Sequence, residues 1–220
     1  MSKPATTLDK PEPRWQALLA LLAVGGINLA LPDWLNLAPK WILPSLVLGL
    51  LIPSIVTHRT RRFRVNYILG LTINGVITVD LIGSVVLLVD GLATHPQKGM
   101  PALVSGGALW LSNVLVFALW YWRLDGGGPN EREEHPEFGS RSFLFPQMQI
   151  EKSERSRFGV AEKWRPHFID YLFLALMQSS TFGPTDTPIL SLWAKVVTMI
   201  QVLISLVIVV LLISHAVGAI

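Results

Sequence analysis

The chain alternates long apolar runs with short polar breaks, and the lengths of the runs decide the fold class. Residues 15–31 form the first run, closed by Pro32, Asp33, Pro39 and Lys40. The second covers 41–57 and contains Pro44 and Pro53, both of which lack a backbone donor, so a kink is expected. The third lies within 65–93, longer than the ~20 residues a helix needs to cross the hydrocarbon core, so tilt or an overhanging end is expected. Residues 90–99 read as an outer loop, and 101–122 as a fourth span. After a polar segment at 123–163 comes a run of only about ten residues, 168–177, too short to cross alone. A turn rich in Thr, Gly and Pro follows at 178–187, and then one long apolar run that ends near Val217. The pattern predicts an all-α, polytopic transmembrane helical bundle. It has four N-terminal spans, a short re-entrant or broken helix, and a final span.

Composition supports this. Of 220 residues, 51% are hydrophobic and only 15% charged, and the charges cluster between the runs. Tryptophans 15, 34, 41, 120, 122, 164 and 193 fall near predicted span ends, where amphipathic rings sit at headgroup level. There are no cysteines, which excludes disulfides, thiolate metal sites and lipidation at Cys. The net charge of +3 is modest, and its basic residues flank spans, so it reads as a topology signal and not as a nucleic-acid surface. Arg59, Arg61, Arg62 and Arg64 crowd one short loop, which the positive-inside rule assigns to the cytoplasm. Lys3, Lys10 and Arg14 place the N-terminus on the same side. Residues 1–14 are polar and Pro-rich and read as a disordered cytoplasmic tail. Residues 15–122 form the four-span bundle, 123–163 a cytoplasmic polar segment, and 164–220 a helix, turn and last span. Within the polar segment, residues 143–146 read as a short strand or a surface-lying piece. Gly126, Gly127 and Gly128 lack the flanking strand, helix and lysine of a phosphate loop, so they read as a flexible stretch.

Three features carry candidate chemistry. Asp80 stands near the middle of the third span, where a carboxylate is a functional hypothesis by default. It reads either as a proton relay or as a structural group bonded to Ser112 or Asn113 of the fourth span. Thr198, Gln201 and Ser205 follow at spacings of three and four, so they make one polar stripe on the last helix. That stripe suits a pore lining and equally suits bonds between helices. Ile208 and Leu212 continue the same face and suit a hydrophobic constriction. The third feature is the 178–187 turn, because non-helical backbone at membrane depth must be buried in protein or line a water-filled cavity. The histidines at 58, 95, 135, 167 and 215 lack metal-ligand spacing, and no catalytic or cofactor-binding set is recognisable.

Thr181-Phe182-Gly183-Pro184-Thr185-Asp186 resembles the T-V-G-Y-G-D filter of potassium-channel-like ion channels. Asp170, Tyr171 and Phe173 resemble the start of that family's pore helix, and Trp193, Ala194 and Lys195 the entry to its inner helix. Pro184 stands where the family has tyrosine, and Thr185 where it has its second glycine. The resemblance covers about 50 residues. The whole chain also resembles a family of uncharacterised bacterial inner-membrane proteins. The shared features are the arginine loop at 59–64, the glycines at 126–128 and the Thr181–Thr187 turn. Together these resemblances imply a multi-pass protein of the bacterial inner membrane with a non-standard filter. They imply conduction of a monovalent cation through a homo-oligomeric, tetrameric pore. Thr181, Phe182, Gly183, Thr185 and Asp186 would line its mouth. Thr198, Gln201 and Ser205 would line the pore below. Two other readings stand beside this one: a small proton-coupled transporter using Asp80, and a non-transporting scaffold or partner subunit. The loop either enters and leaves from the cytoplasm, or 168–190 crosses as a fifth span.

Overall fold

The computed structural model describes residues 12–60, 62–94, 99–134, 141–161, 164–182 and 185–218. The expectations for residues 1–11, Arg61, the loop at 95–98, His135, Gly183 and Pro184 therefore lie outside the described residues. Among the described residues eight helices follow in order: α1 (Trp15–Ala30), α2 (Ile42–Arg59), α3 (Phe63–Thr94), α4 (Gly99–Leu124), α5 (Pro129–Glu134), α6 (Pro146–Gln149), α7 (Phe168–Thr181) and α8 (Leu192–Gly218). Short 3-10 turns interrupt the connections, and Phe143 and Ile189 form an isolated antiparallel bridge.

Among the described residues, three helices are long and apolar enough to cross a membrane: Phe63–Leu92, Met100–Gly127 and Leu192–Val217. Of the four expected N-terminal spans, α3 and α4 meet that length, while α1 and α2 are shorter at 16 and 18 residues. Proline explains one boundary. Pro44 falls in the first turn of α2, where its missing N–H costs no helical bond, so only Pro53 interrupts the ladder. At 32 residues α3 extends about 48 Å, longer than the ~30 Å hydrocarbon core.

The central column is α4. Its candidate span is 67% buried inside the chain, against 39% for α3 and 22% for α8. Helices α1, α3, α7 and α8 pack around it, and α2 packs on α3. Leu109, Val116, Phe117, Leu119 and Tyr121 of α4 are all buried. By contrast α8 presents Leu192, Met199, Leu203, Val210 and Ile213 outward, as a helix does that is apolar all round.

Side-chain pairs fix the directions of the helices. Tyr121 meets Thr198, Asn113 meets Ser205 and Gly106 lies against Leu212, so α8 runs antiparallel to α4. Phe168 stacks edge-on with Trp122, at 6.0 Å, while the Ser179 carbonyl accepts from Trp110 Nε1 at 3.4 Å. So α7 is antiparallel to α4 as well, and α7 and α8 run parallel to each other. Consecutive parallel helices need a return path, and its described part is residues 185–190. At the top of that path Leu144 N donates to Pro188 O (3.0 Å) and Leu190 N to Ser142 O (2.8 Å). The 143–146 stretch is thus no surface piece. Phe143 and Phe145 are buried, and Phe143 packs on Tyr121 at 4.9 Å and on Trp193 at 5.9 Å. Both aromatic rings seat the beginnings of α7 and α8 at the end of the bundle where α4 finishes.

Candidate functional site

The polar stripe on α8 faces into the chain. Gln201 is fully buried, and its side-chain nitrogen donates to the Ala175 carbonyl and to Ser179 Oγ, both at 2.7 Å. Its side-chain oxygen accepts from the Tyr121 hydroxyl, which also lies 3.1 Å from the Thr198 hydroxyl. Asn113 Nδ2 donates to the Gln201 carbonyl at 3.2 Å and to Ser205 Oγ at 2.9 Å. One glutamine therefore ties α4, α7 and α8 together. Thr198, Gln201 and Ser205 make bonds between helices, the second of their two expected roles. In this packing they are covered by α4 and α7 and present no lining to a pore between copies. Ile208 is likewise buried, and Leu212 packs against Gly106.

The turn after α7 is different. Thr181 and Phe182 are exposed, Asp186 is exposed, and Thr185 is half-buried. Phe182 ends the helix at φ 51°, a left-handed conformation uncommon outside glycine. The Thr181 hydroxyl bonds back to the Met177 carbonyl at 2.8 Å, and Thr185 Oγ1 accepts from Thr187 N at 3.4 Å. A cavity of about 240 Å³ separates this turn from α7 and from Phe145, with Asp170, Phe173 and Asp186 on its wall. Asp170 caps the start of α7, accepting from His167 N at 2.7 Å. Ser179 lies twelve residues along α7 from His167, about 18 Å, so the two cannot act as nucleophile and base.

Asp80 has a partner other than those expected. Asn113 and Ser112 are not its neighbours in bonding; Asn28 Nδ2 of α1 donates to Asp80 Oδ2 at 2.9 Å. The same amide donates to Asn36 Oδ1 at 3.1 Å, and Asn36 in turn donates to the Pro32 carbonyl. So Asp80 sits where α1 ends and the irregular 31–41 connection begins. A cavity of about 160 Å³ opens beside it, lined by Leu37, Pro39, Leu43 and Val76. On the same helix Asn74 and Ser84 are fully buried, yet both Asn74 amide atoms and Ser84 Oγ lack hydrogen-bond partners.

The most completely bonded acid is one the sequence did not single out. Asp125, directly after α4, is fully buried. Its Oδ1 accepts from Ser142 N at 2.6 Å and its Oδ2 from the Tyr171 hydroxyl at 2.7 Å. Buried Arg132 donates to the Asp125 and Trp122 carbonyls, pairs with Glu12 at 3.2 Å, and lies 5.3 Å over the Tyr171 ring. The glycines make this possible by forming a tight turn. Gly126, Gly127 and Gly128 all have positive φ, and a Cβ on Gly128 would meet the Arg123 carbonyl at 2.8 Å. The Asp-Gly-Gly-Gly-Pro order next to a span end was the available signal.

Among the described residues, no three His, Asp or Glu side chains gather as metal ligands. Comparison with known proteins finds no family model, curated protein or solved structure that matches the chain.

Proposed function

We propose that the protein is an ion-channel-like membrane protein in which 168–190 is a re-entrant loop. The carrying observation is the parallel course of α7 and α8, with α7 ending beside Gln201. Gln201 is nine residues into α8, about 14 Å from its start, so the chain descends as a helix and is back at the starting level when α8 begins. The arginine loop at 59–64 assigns the entry side to the cytoplasm, together with the N-terminus, in a bacterial inner membrane. Helices α1 and α2, about 24 and 27 Å long, then serve with α3 and α4 as the four N-terminal passages.

The exposed tip is the part left for a pore. Thr181, Phe182, Gly183, Thr185 and Asp186 from several copies would surround an axis, with carbonyls and hydroxyls replacing some cation hydration and Asp186 concentrating cations. The likeness of 181–186 to a channel filter supports this assignment. Pro184 and Thr185 argue for a cation path without potassium selectivity, because Thr185 stands in place of the filter's second glycine and proline holds φ at about −65° in place of its tyrosine. Thr198, Gln201 and Ser205 hold the loop at its depth instead of lining the path.

Cation flux into proteoliposomes tests the proposal. Asp186→Asn is expected to lower flux by about fivefold, the worth of one charge near a mouth. Flux equal to wild type would overturn the tip's role. Asp80, with its amide partner and adjoining cavity, favours a second reading as a proton-coupled carrier. That reading predicts the opposite pattern, with flux lost in Asp80→Asn and retained in Asp186→Asn. If both variants match wild type, a non-transporting scaffold is the reading that survives.

A further inference from the structure

At the end of the bundle where α3 begins and α4 finishes, a cavity of about 370 Å³ opens between the two helices. Arg123 forms part of its wall. This guanidinium is only 7% exposed, and its Nε has no hydrogen-bond partner. No carboxylate is paired with it among the described residues, and its charged neighbour is another cation, Arg14. It lies on α3 where Gly70 leaves a slot, since a Cβ there would come within 1.6 Å of Nη1. A buried cation without a counter-ion is costly unless something supplies the negative charge.

The rest of the wall fits an anion that arrives from outside. Arg64 lines the cavity and is exposed, Tyr67 adds a hydroxyl, and Asn130 is held by Arg14 at 2.5 Å. One acid, Glu131, also lines the cavity and is exposed. Guanidinium groups match phosphate oxygens in geometry, with forked donors that a lysine lacks. The position matches as well. Both helices are candidate spans, and the cavity sits at the shared end of both. Ile68 of the same wall is 62% exposed on the outer face of α3, next to exposed Val65, which gives an acyl chain an apolar track. Basic pockets between spans are where acidic head groups bind.

We propose that this cavity binds a phosphate-bearing anion, with Arg123 as its buried contact and Arg64 at its mouth. A phospholipid headgroup and free phosphate share that chemistry. Native mass measurement and thermal stability of the purified full chain separate them, with phosphatidylglycerol, phosphatidylcholine and inorganic phosphate added separately. A lipid site predicts retention and stabilisation by phosphatidylglycerol over phosphatidylcholine. Arg123→Gln should abolish that preference, and Arg64→Gln should weaken it by about fivefold with unchanged lipid-free stability. Stabilisation by inorganic phosphate, lost in Arg64→Gln, supports the anion site and assigns it to a soluble ligand. No stabilisation by either anion, or the same anion response in wild type and Arg64→Gln, would overturn the proposal.

Discussion

Two halves of the bundle differ in how completely their buried polar groups are bonded. Around α4, α7 and α8, Gln201, Tyr121, Thr198, Ser179 and Asp125 are all bonded, and each bond joins separate elements. Along α3, Asn74 and Ser84 are just as deeply buried but unbonded, and Asp80 has a single side-chain partner. Polar residues thus build the first half, while along α3 some bridge helices, with Asn66 donating to Ser54 of α2 and Trp120 to Thr78, and others, Asn74 and Ser84, are buried without side-chain partners. Burial alone does not distinguish these cases; the partners do.

The largest effect is expected at Asp125. Replacing it with Ala leaves the Tyr171 hydroxyl and the Ser142 N–H buried without partners, at ~1–3 kcal/mol each, so about 3 kcal/mol of stability should be lost. Denaturant unfolding in detergent measures it. A loss below about 1 kcal/mol would mean the aromatic packing of Phe143 and Phe145 seats α7 unaided. Gln201→Leu should cost somewhat less, about 2 kcal/mol, since interhelical bonds in membrane proteins average ~0.6 kcal/mol and Gln201 makes several. The smallest effect is expected on α3. Asn74→Leu removes an amide with no partner and should be neutral or stabilising by up to about 1 kcal/mol in the same assay. A large destabilisation there would erase the contrast between the halves.

Much of this was legible in the sequence because run length and spacing are local. Spans α3, α4 and α8 follow from apolar length, and the spacing of Thr198, Gln201 and Ser205 correctly predicts one face. The use of that face depended on Tyr121, Asn113 and Ser179, which no local pattern links to it. Asp125 was missed for the same reason: its side-chain partners are 17 and 46 residues away. Asp80 drew attention because depth was counted along one helix. The bond from Asn28 needs the α1–α2 connection folded beside α3, which hydropathy does not encode.

The direction of α7 is the point on which the account rests. The chain has no cysteines, so single cysteines can be introduced without background. Ser156→Cys lies before α7 and Ser191→Cys directly before α8, and each is labelled with a membrane-impermeant maleimide in sealed vesicles of known orientation. A re-entrant 168–190 predicts that both react from the same side, the cytoplasmic one. Reaction from opposite sides would make the stretch a crossing span and contradict the account.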